Sequence, residues 1–97
     1  VIAASANNSI CGVGVAFNSK FADIRLNTND DFDIYNALSH KLFDISIYVN
    51  SWNSIEESTI KQFLGNYEER ALREGVQYGR NGLGSIYIFA AGNSGLY

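Results

Sequence analysis

Proline is absent from all 97 residues, against an average of about 5% in ordinary proteins, although that absence identifies no class by itself. Cysteine occurs once, at Cys11, so neither an internal disulfide nor a thiolate metal cluster can be assembled within the chain. A lone thiol is usually a small buried hydrophobe. No apolar run approaches the roughly 18 residues of a membrane span, and the chain does not open on a basic and then apolar signal segment. Positive charge is also scarce. Seven Lys and Arg against ten Asp and Glu give a net charge of -3, and no basic patch offers itself to nucleic acid or to an anionic membrane. Histidine occurs once, at His40, which limits any acid-base chemistry the chain could run alone.

What is present is a chain with 46% apolar residues, enough for one small domain with a thin core, since a unit this size buries only about two thirds of its unfolded surface. The opening VIAASA lies inside an apolar run and the closing GNSGLY follows a strand-like one. Both ends read as cut rather than capped, so residues 1–97 are expected to be a fragment. Runs rich in β-branched and aromatic residues at 13–17 (VGVAF), 21–26 (FADIRL), 45–50 (ISIYVN) and 85–91 (SIYIFAA) predict strands. Between them, residues 30–42 place Ile34, Leu38 and Leu42 on one helical face, with Asn29 or Asp30 as the cap. A second helix is predicted from Ile60, Phe63, Leu64, Tyr67 and Ala71, with Glu69 and Arg73 paired on its outer face. Gly79, Asn81 and Gly82 supply the left-handed conformations that end it. Strands alternating with helices predict an α/β fold, a parallel sheet with helices packed on it. No repeat, linker or low-complexity tract divides the chain.

In an open parallel sheet, ligands bind beyond the carboxyl ends of the strands. Two loops qualify: SWNSIEES after the third run and AAGNSG after the fourth. The small residues Ala90, Ala91 and Gly92 allow another chain close to the backbone, and Asn93 adds an amide donor at the cleft edge. Read alone, Asn93 is a turn asparagine closing a strand. The segments ANNSICGVGVAFNSK and GRNGLGSIYIFAAGNSG, with IYVNSW between them in the same order, resemble kexin/furin-like proprotein convertases of the subtilisin-like serine protease family. The resemblance spans nearly the whole chain, and its first and last blocks are long enough to be specific. It implies part of a subtilisin-like doubly wound α/β catalytic domain.

That resemblance implies a role for particular residues. Asn93 corresponds to the asparagine that stabilises the oxyanion of acyl transfer. Ser51, Trp52 and Asn53 correspond to the strand edge against which the substrate backbone lies antiparallel, a mode in which main-chain bonds give affinity and pockets give selection. Ala91 and Gly92 line the same cleft, and Glu56 falls where the family places an acid beneath the first specificity pocket, matching a basic substrate side chain. A structural calcium is also implied, held by the carbonyls of Ser5, Ile10 and Gly12 and the side chain of Asn8. Four oxygens are too few for a hard cation that takes six to eight, so the remaining ligands would come from outside this chain; otherwise the loop is an Asn-rich turn. Cys11 matches a disulfide position whose partner is absent here, leaving a free thiol as the alternative. Two departures weaken the cleft: Asn53 and Ser54 replace the Gly and Pro of the family, and Asn36 stands where an acid often faces an upstream Arg.

The triad is not in this sequence. Its Asp and His motifs would precede Val1 and its Ser motif would follow Tyr97. His40 lacks the Gly and Thr that follow the family histidine and reads as a surface or packing residue, and Ser94 beside Asn93 is no nucleophile elbow. The implied whole protein is a serine endopeptidase of the secretory pathway, acting on a polypeptide substrate such as a proprotein after basic residues. The fragment alone is expected to be inactive, with the rest of the catalytic domain as its partner. The competing expectation is an inactive relative that only binds peptides or partners, motivated by Asn53, Ser54 and Asn36. A nucleotide-binding reading of CGVGVAF fails, because the third glycine is missing and the glycines precede a strand rather than open a helix.

Overall fold

The computed structural model describes residues 1–52 and 65–91. Within them the order is α1 (Asp31–Leu38), β1 (Ile47–Asn50), α2 (Asn66–Gly82) and β2 (Ile86–Phe89). The strands pair in parallel, with Ile47 opposite Ile86 and Asn50 opposite Phe89, giving the α/β arrangement expected. A parallel pair needs a crossover between its members, and α2 lies on it.

Helix α1 starts where Asp30 accepts the backbone N–H groups of Phe32 at 2.9 Å and Asp33 at 3.4 Å. Asp31 and Asp33 in the first turn add favourable charge at the positive end of the helix dipole. The helix ends four residues short of the expected Leu42. The Ser39 hydroxyl and backbone N–H both donate to the carbonyl of Tyr35, and Lys41 turns the chain with φ 47°, so Leu42 leaves the helical face.

Helix α2 carries the expected exposed pair, with Arg73 2.6 Å from Glu69, and a second pair, Arg70 to Glu74, at 2.9 Å. Its helical geometry breaks at Gly79 (ψ 152°), and Arg80 and Asn81 take φ values of 52° and 56°. The buried stripe is Glu68, Ala71, Gly75 and Gly79. Tyr67, expected on that stripe, is exposed and meets the rings of Phe32 and Tyr35 at the rim. Ile60, Phe63 and Leu64 lie outside the described residues.

The core joins Ile34 and Leu38 of α1 to Ala71 of α2, with Leu26, Tyr35, Trp52, Leu72 and Tyr87 packed around them. On the covered face of the sheet, Tyr48 and Tyr87 stack with centroids 4.9 Å apart and planes at 18°. Their hydroxyls donate to the carbonyls of His40 at 2.5 Å and Leu38 at 2.7 Å. The Leu38 carbonyl at the end of α1 and the His40 carbonyl just beyond it, which no helical turn satisfies, are thereby paired. On the other face Ile47, Val49, Ile86 and Ile88 remain about half exposed.

The runs at 13–17 and 21–26 are not strands. Residues 15–18 form a turn, and Val13, Val15, Phe17 and Phe21 are exposed. A strand satisfies its backbone only through a neighbour, and among the described residues these runs have none apart from a short fold-back. There Gly14 donates to Ala4 and Ala16 to Ile2, both at 2.9 Å. Gly14 is required at this crossing, because a Cβ would overlap the backbone of Ile2 and Ala4.

Candidate active site

Because β1 and β2 run in parallel and in register, both strands finish at one edge of the sheet. The backbone pairing continues one residue past them, with Ala90 donating to the carbonyl of Asn50 at 3.0 Å. The Asn50 side chain ties the two ends together, its Nδ2 lying 3.3 Å from the Ile88 carbonyl and 3.4 Å from that of Tyr48. The loops that follow, beginning at Ser51 and at Ala90, therefore leave the sheet side by side.

Of the expected cleft residues, Ser51 and Ala91 are exposed at this edge and Trp52 is half-buried. Trp52 meets Phe89 edge to face at 5.8 Å and 86° and also packs on the helical core, which fixes the direction in which the chain leaves β1. Asn53, Glu56, Gly92 and Asn93 lie outside the described residues. Phe89 and Asn50 were not expected at the site. Phe89 becomes visible only through strand register, whereas an Asn ending an apolar strand is a signal that the sequence did offer.

At the other end of the chain, residues 5–12 form a loop closed by the Gly14 to Ala4 bond. Asn7, Ser9 and Cys11 all have positive φ, at 55°, 59° and 54°, so every second residue reverses the chain. Asn8 accepts the N–H of Ile10 on Oδ1 at 3.1 Å, an Asx turn. Ser5, Asn8, Ile10 and Gly12 are exposed. Neutral carbonyl and amide oxygens are the right donor type for a hard cation such as calcium, yet the expected ligands in this loop include no carboxylate and cannot fill a shell of six to eight. Among the described residues no group of three or more His, Cys, Asp and Glu side chains could hold a metal. Cys11 is an exposed free thiol, not the buried hydrophobe that composition suggested.

His40 lies beyond the end of α1, exposed, and its carbonyl rather than its ring is engaged, by Tyr48. Burial, with Tyr87 alongside, pushes the Tyr48 hydroxyl up to about 12. A phenol held so firmly in its neutral form serves as a donor, not as a base. A polar cluster between α1 and α2 joins the Tyr35 hydroxyl to Glu74 at 2.8 Å, with Arg70 over the Tyr35 ring. The hydrogen bond from Arg70, and then that from Tyr35, hold the Glu74 carboxyl below the usual range. Each of the three groups is thereby engaged by another, Arg70 through its Nε at 2.9 Å from Glu74. Among the described residues no helix is long and apolar enough to cross a membrane.

The subtilase family pattern, Peptidase S8, matches residues 1–96. Neuroendocrine convertase 2 of Drosophila melanogaster is 40% identical over 97 residues, which are 97% of this chain and 15% of that protein. PC3-like endoprotease variant B of Hydra vulgaris is 41% identical over 96 residues, 97% of this chain and 14% of that protein. Proprotein convertase subtilisin/kexin type 4 of Homo sapiens is 40% identical over 98 residues, covering 99% and 13%. The chain thus spans less than a sixth of the length of these relatives.

Proposed function

Because the chain belongs to the subtilase family, whose members are serine-type proteases, and is similar to proprotein convertases throughout, we propose that the whole protein is a kexin/furin-like serine endopeptidase. It cleaves proprotein substrates after basic residues in the secretory pathway. This segment supplies the oxyanion donor Asn93 and one wall of the cleft, while the Asp, His and Ser of the triad come from outside it.

The observation that supports this reading is the levelled edge of the parallel pair, where Ala90 N–H meets the Asn50 carbonyl at 3.0 Å. A peptide laid antiparallel along the chain that leaves β1 at Ser51 and Trp52 would pass beside the chain that leaves β2 at Ala90 and Ala91, and the resemblance assigns Asn53 to the first of these and Gly92 and Asn93 to the second. Glu56 would face the basic side chain preceding the scissile bond. As the serine attacks, the carbonyl oxygen gains negative charge, and the Asn93 amide donates a hydrogen bond that strengthens as the charge develops. Calcium fits the donor type of the loop at Ser5, Asn8, Ile10 and Gly12. With ligands from elsewhere in the protein it would brace the loop, and no catalytic step passes through it.

The test is turnover of a fluorogenic dibasic peptide by the full-length protein and its Asn93→Ala variant. Loss of one such donor lowers kcat about 10²- to 10³-fold, a magnitude known from subtilisin itself, a member of this family, and carried over from it. KM should change little. Equal turnover in the variant would remove Asn93 from its role. A full-length protein that binds the peptide without cleaving it would favour the inactive, peptide-binding alternative that Asn53 and Ser54 suggest.

A further inference from the structure

Eleven asparagines occur in the chain, and only Asn7 is followed two positions later by Ser or Thr. The triplet Asn7-Asn8-Ser9 has no proline at its middle position, which satisfies the acceptor pattern for N-linked glycosylation, a modification confined to surface loops of secreted proteins. We propose that Asn7 carries an N-linked glycan in the whole protein. The proposal rests on the secretory-pathway reading above and adds a modification site to it.

The loop geometry separates the three residues by task. Asn8 is occupied, its Oδ1 accepting the N–H of Ile10 at 3.1 Å. The Asn7 side chain makes no hydrogen bond among the described residues, and both Asn7 and Ser9 are exposed. Asn7 and Ser9 share the left-handed backbone region, with φ 55° and 59°, where an exposed turn rather than a helix or strand presents the acceptor. The base of the loop is pinned by the Gly14 to Ala4 and Ala16 to Ile2 bonds, so the triplet projects from a fixed stem. Nothing in the triplet is needed for the core, which lies among α1, α2 and β2.

In the transfer, Nδ2 of Asn7 attacks the anomeric carbon of a lipid-pyrophosphate-linked oligosaccharide. The carbon–nitrogen bond forms as the bond to phosphate oxygen breaks, the amide loses one proton, and the lipid pyrophosphate leaves. The substituent sits on Nδ2 of Asn7 alone. It leaves Oδ1 of Asn8 and the carbonyls of Ser5, Ile10 and Gly12 unsubstituted, so the glycan and a cation on the same loop are compatible.

The experiment uses the full-length protein, expressed behind a cleavable secretion signal in a eukaryotic host so that passage through the glycosylating compartment is assured. Peptide mass mapping should find the Asn7 peptide carrying hexose and N-acetylhexosamine, and digestion with a glycan-releasing amidase should sharpen the band and convert Asn7 to aspartate. Asn7→Gln and Ser9→Ala should each abolish the modification, while Ser9→Thr, which restores a hydroxyl, should keep it. Secreted protein with an unmodified Asn7 peptide overturns the proposal even though the secretory reading stands. Expression of the complete reading frame without the added signal separates the other failure. A product left open to protease outside sealed vesicles overturns the secretory reading, and natural glycosylation with it.

Discussion

Gly75 is the position where helix propensity and packing make opposite demands. Alanine is the better helix former by about 1 kcal/mol, and Gly75 lies inside α2, so on propensity alone Gly75→Ala should stabilise. A Cβ at this position would instead overlap the Tyr87 hydroxyl and lie 2.7 Å from Cζ and 2.8 Å from Cε2 of the same ring. Tyr87 cannot simply move aside. Its hydroxyl is bonded to the Leu38 carbonyl at 2.7 Å, and its ring stacks on Tyr48. Overpacking costs roughly 1 to 3 kcal/mol, and a strained or broken hydrogen bond about 1 more, so after the propensity gain the net loss should be about 1 to 3 kcal/mol. Urea or thermal unfolding of the full-length protein measures it. Tyr87→Phe alone should cost about 1 kcal/mol, by removing the donor to Leu38. The double variant should cost less than the sum, because the atom nearest the new methyl has gone and part of the clash with it. A Gly75→Ala protein as stable as the parent, or more stable, would refute the close approach of α2 to β2.

Asp30→Ala removes the acceptor for two N–H groups at the start of α1, and should cost about 1 kcal/mol, read as a lower urea midpoint with unchanged slope. Tyr48, pushed up to about 12 by burial, ordinarily ionises near 10. Between those values the unfolded chain has released a proton that the folded chain keeps. Its contribution is therefore complete below pH 10 and lost as pH rises through 12, by at most about 3 kcal/mol. Unfolding followed across that window should show the decline, and Tyr48→Phe should flatten it. Trp52→Ala deletes the ring that holds the end of β1 against Phe89, so KM for a peptide substrate should rise with a smaller change in kcat; an unchanged KM would show that the edge does not guide the peptide.

The paired strands were legible because residues 47–49 and 86–89 are apolar without a break, the sequence pattern of strands in a parallel sheet. The end of α2 was equally legible, since Gly79, Asn81 and Gly82 accept backbone angles that other residues resist. Runs 13–17 and 21–26 have the same composition yet are not strands, because composition states a preference and only a neighbour satisfies the backbone. The spacing of Ile34, Leu38 and Leu42 fits a longer α1. It cannot reveal that the Ser39 hydroxyl takes the Tyr35 carbonyl and that Lys41 turns the chain. At the site, family resemblance named Ser51, Trp52 and Ala91, but the partnership of Trp52 with Phe89 depends on a register of residues 39 positions apart that no local pattern encodes.

The stripe of α2 explains why periodicity misjudged Tyr67. Pattern reading weights large apolar side chains, and Tyr67 with Ala71 looks like the start of a buried face. The face that is buried continues from Ala71 through Gly75 and Gly79, residues whose value lies in having almost no side chain. Bulk is supplied from the other side, by Tyr87 and Ser85 reaching into the space that a Cβ at Gly75 or Gly79 would occupy. An interface built this way places its large residues on one element only, so the face of α2 that meets Tyr87 and Ser85 carries little apolar bulk of its own. Close approach of α2 keeps Tyr87 over Tyr48, and that stacked pair holds β1 and β2 in the register that brings Trp52 and Ala91 to the same edge.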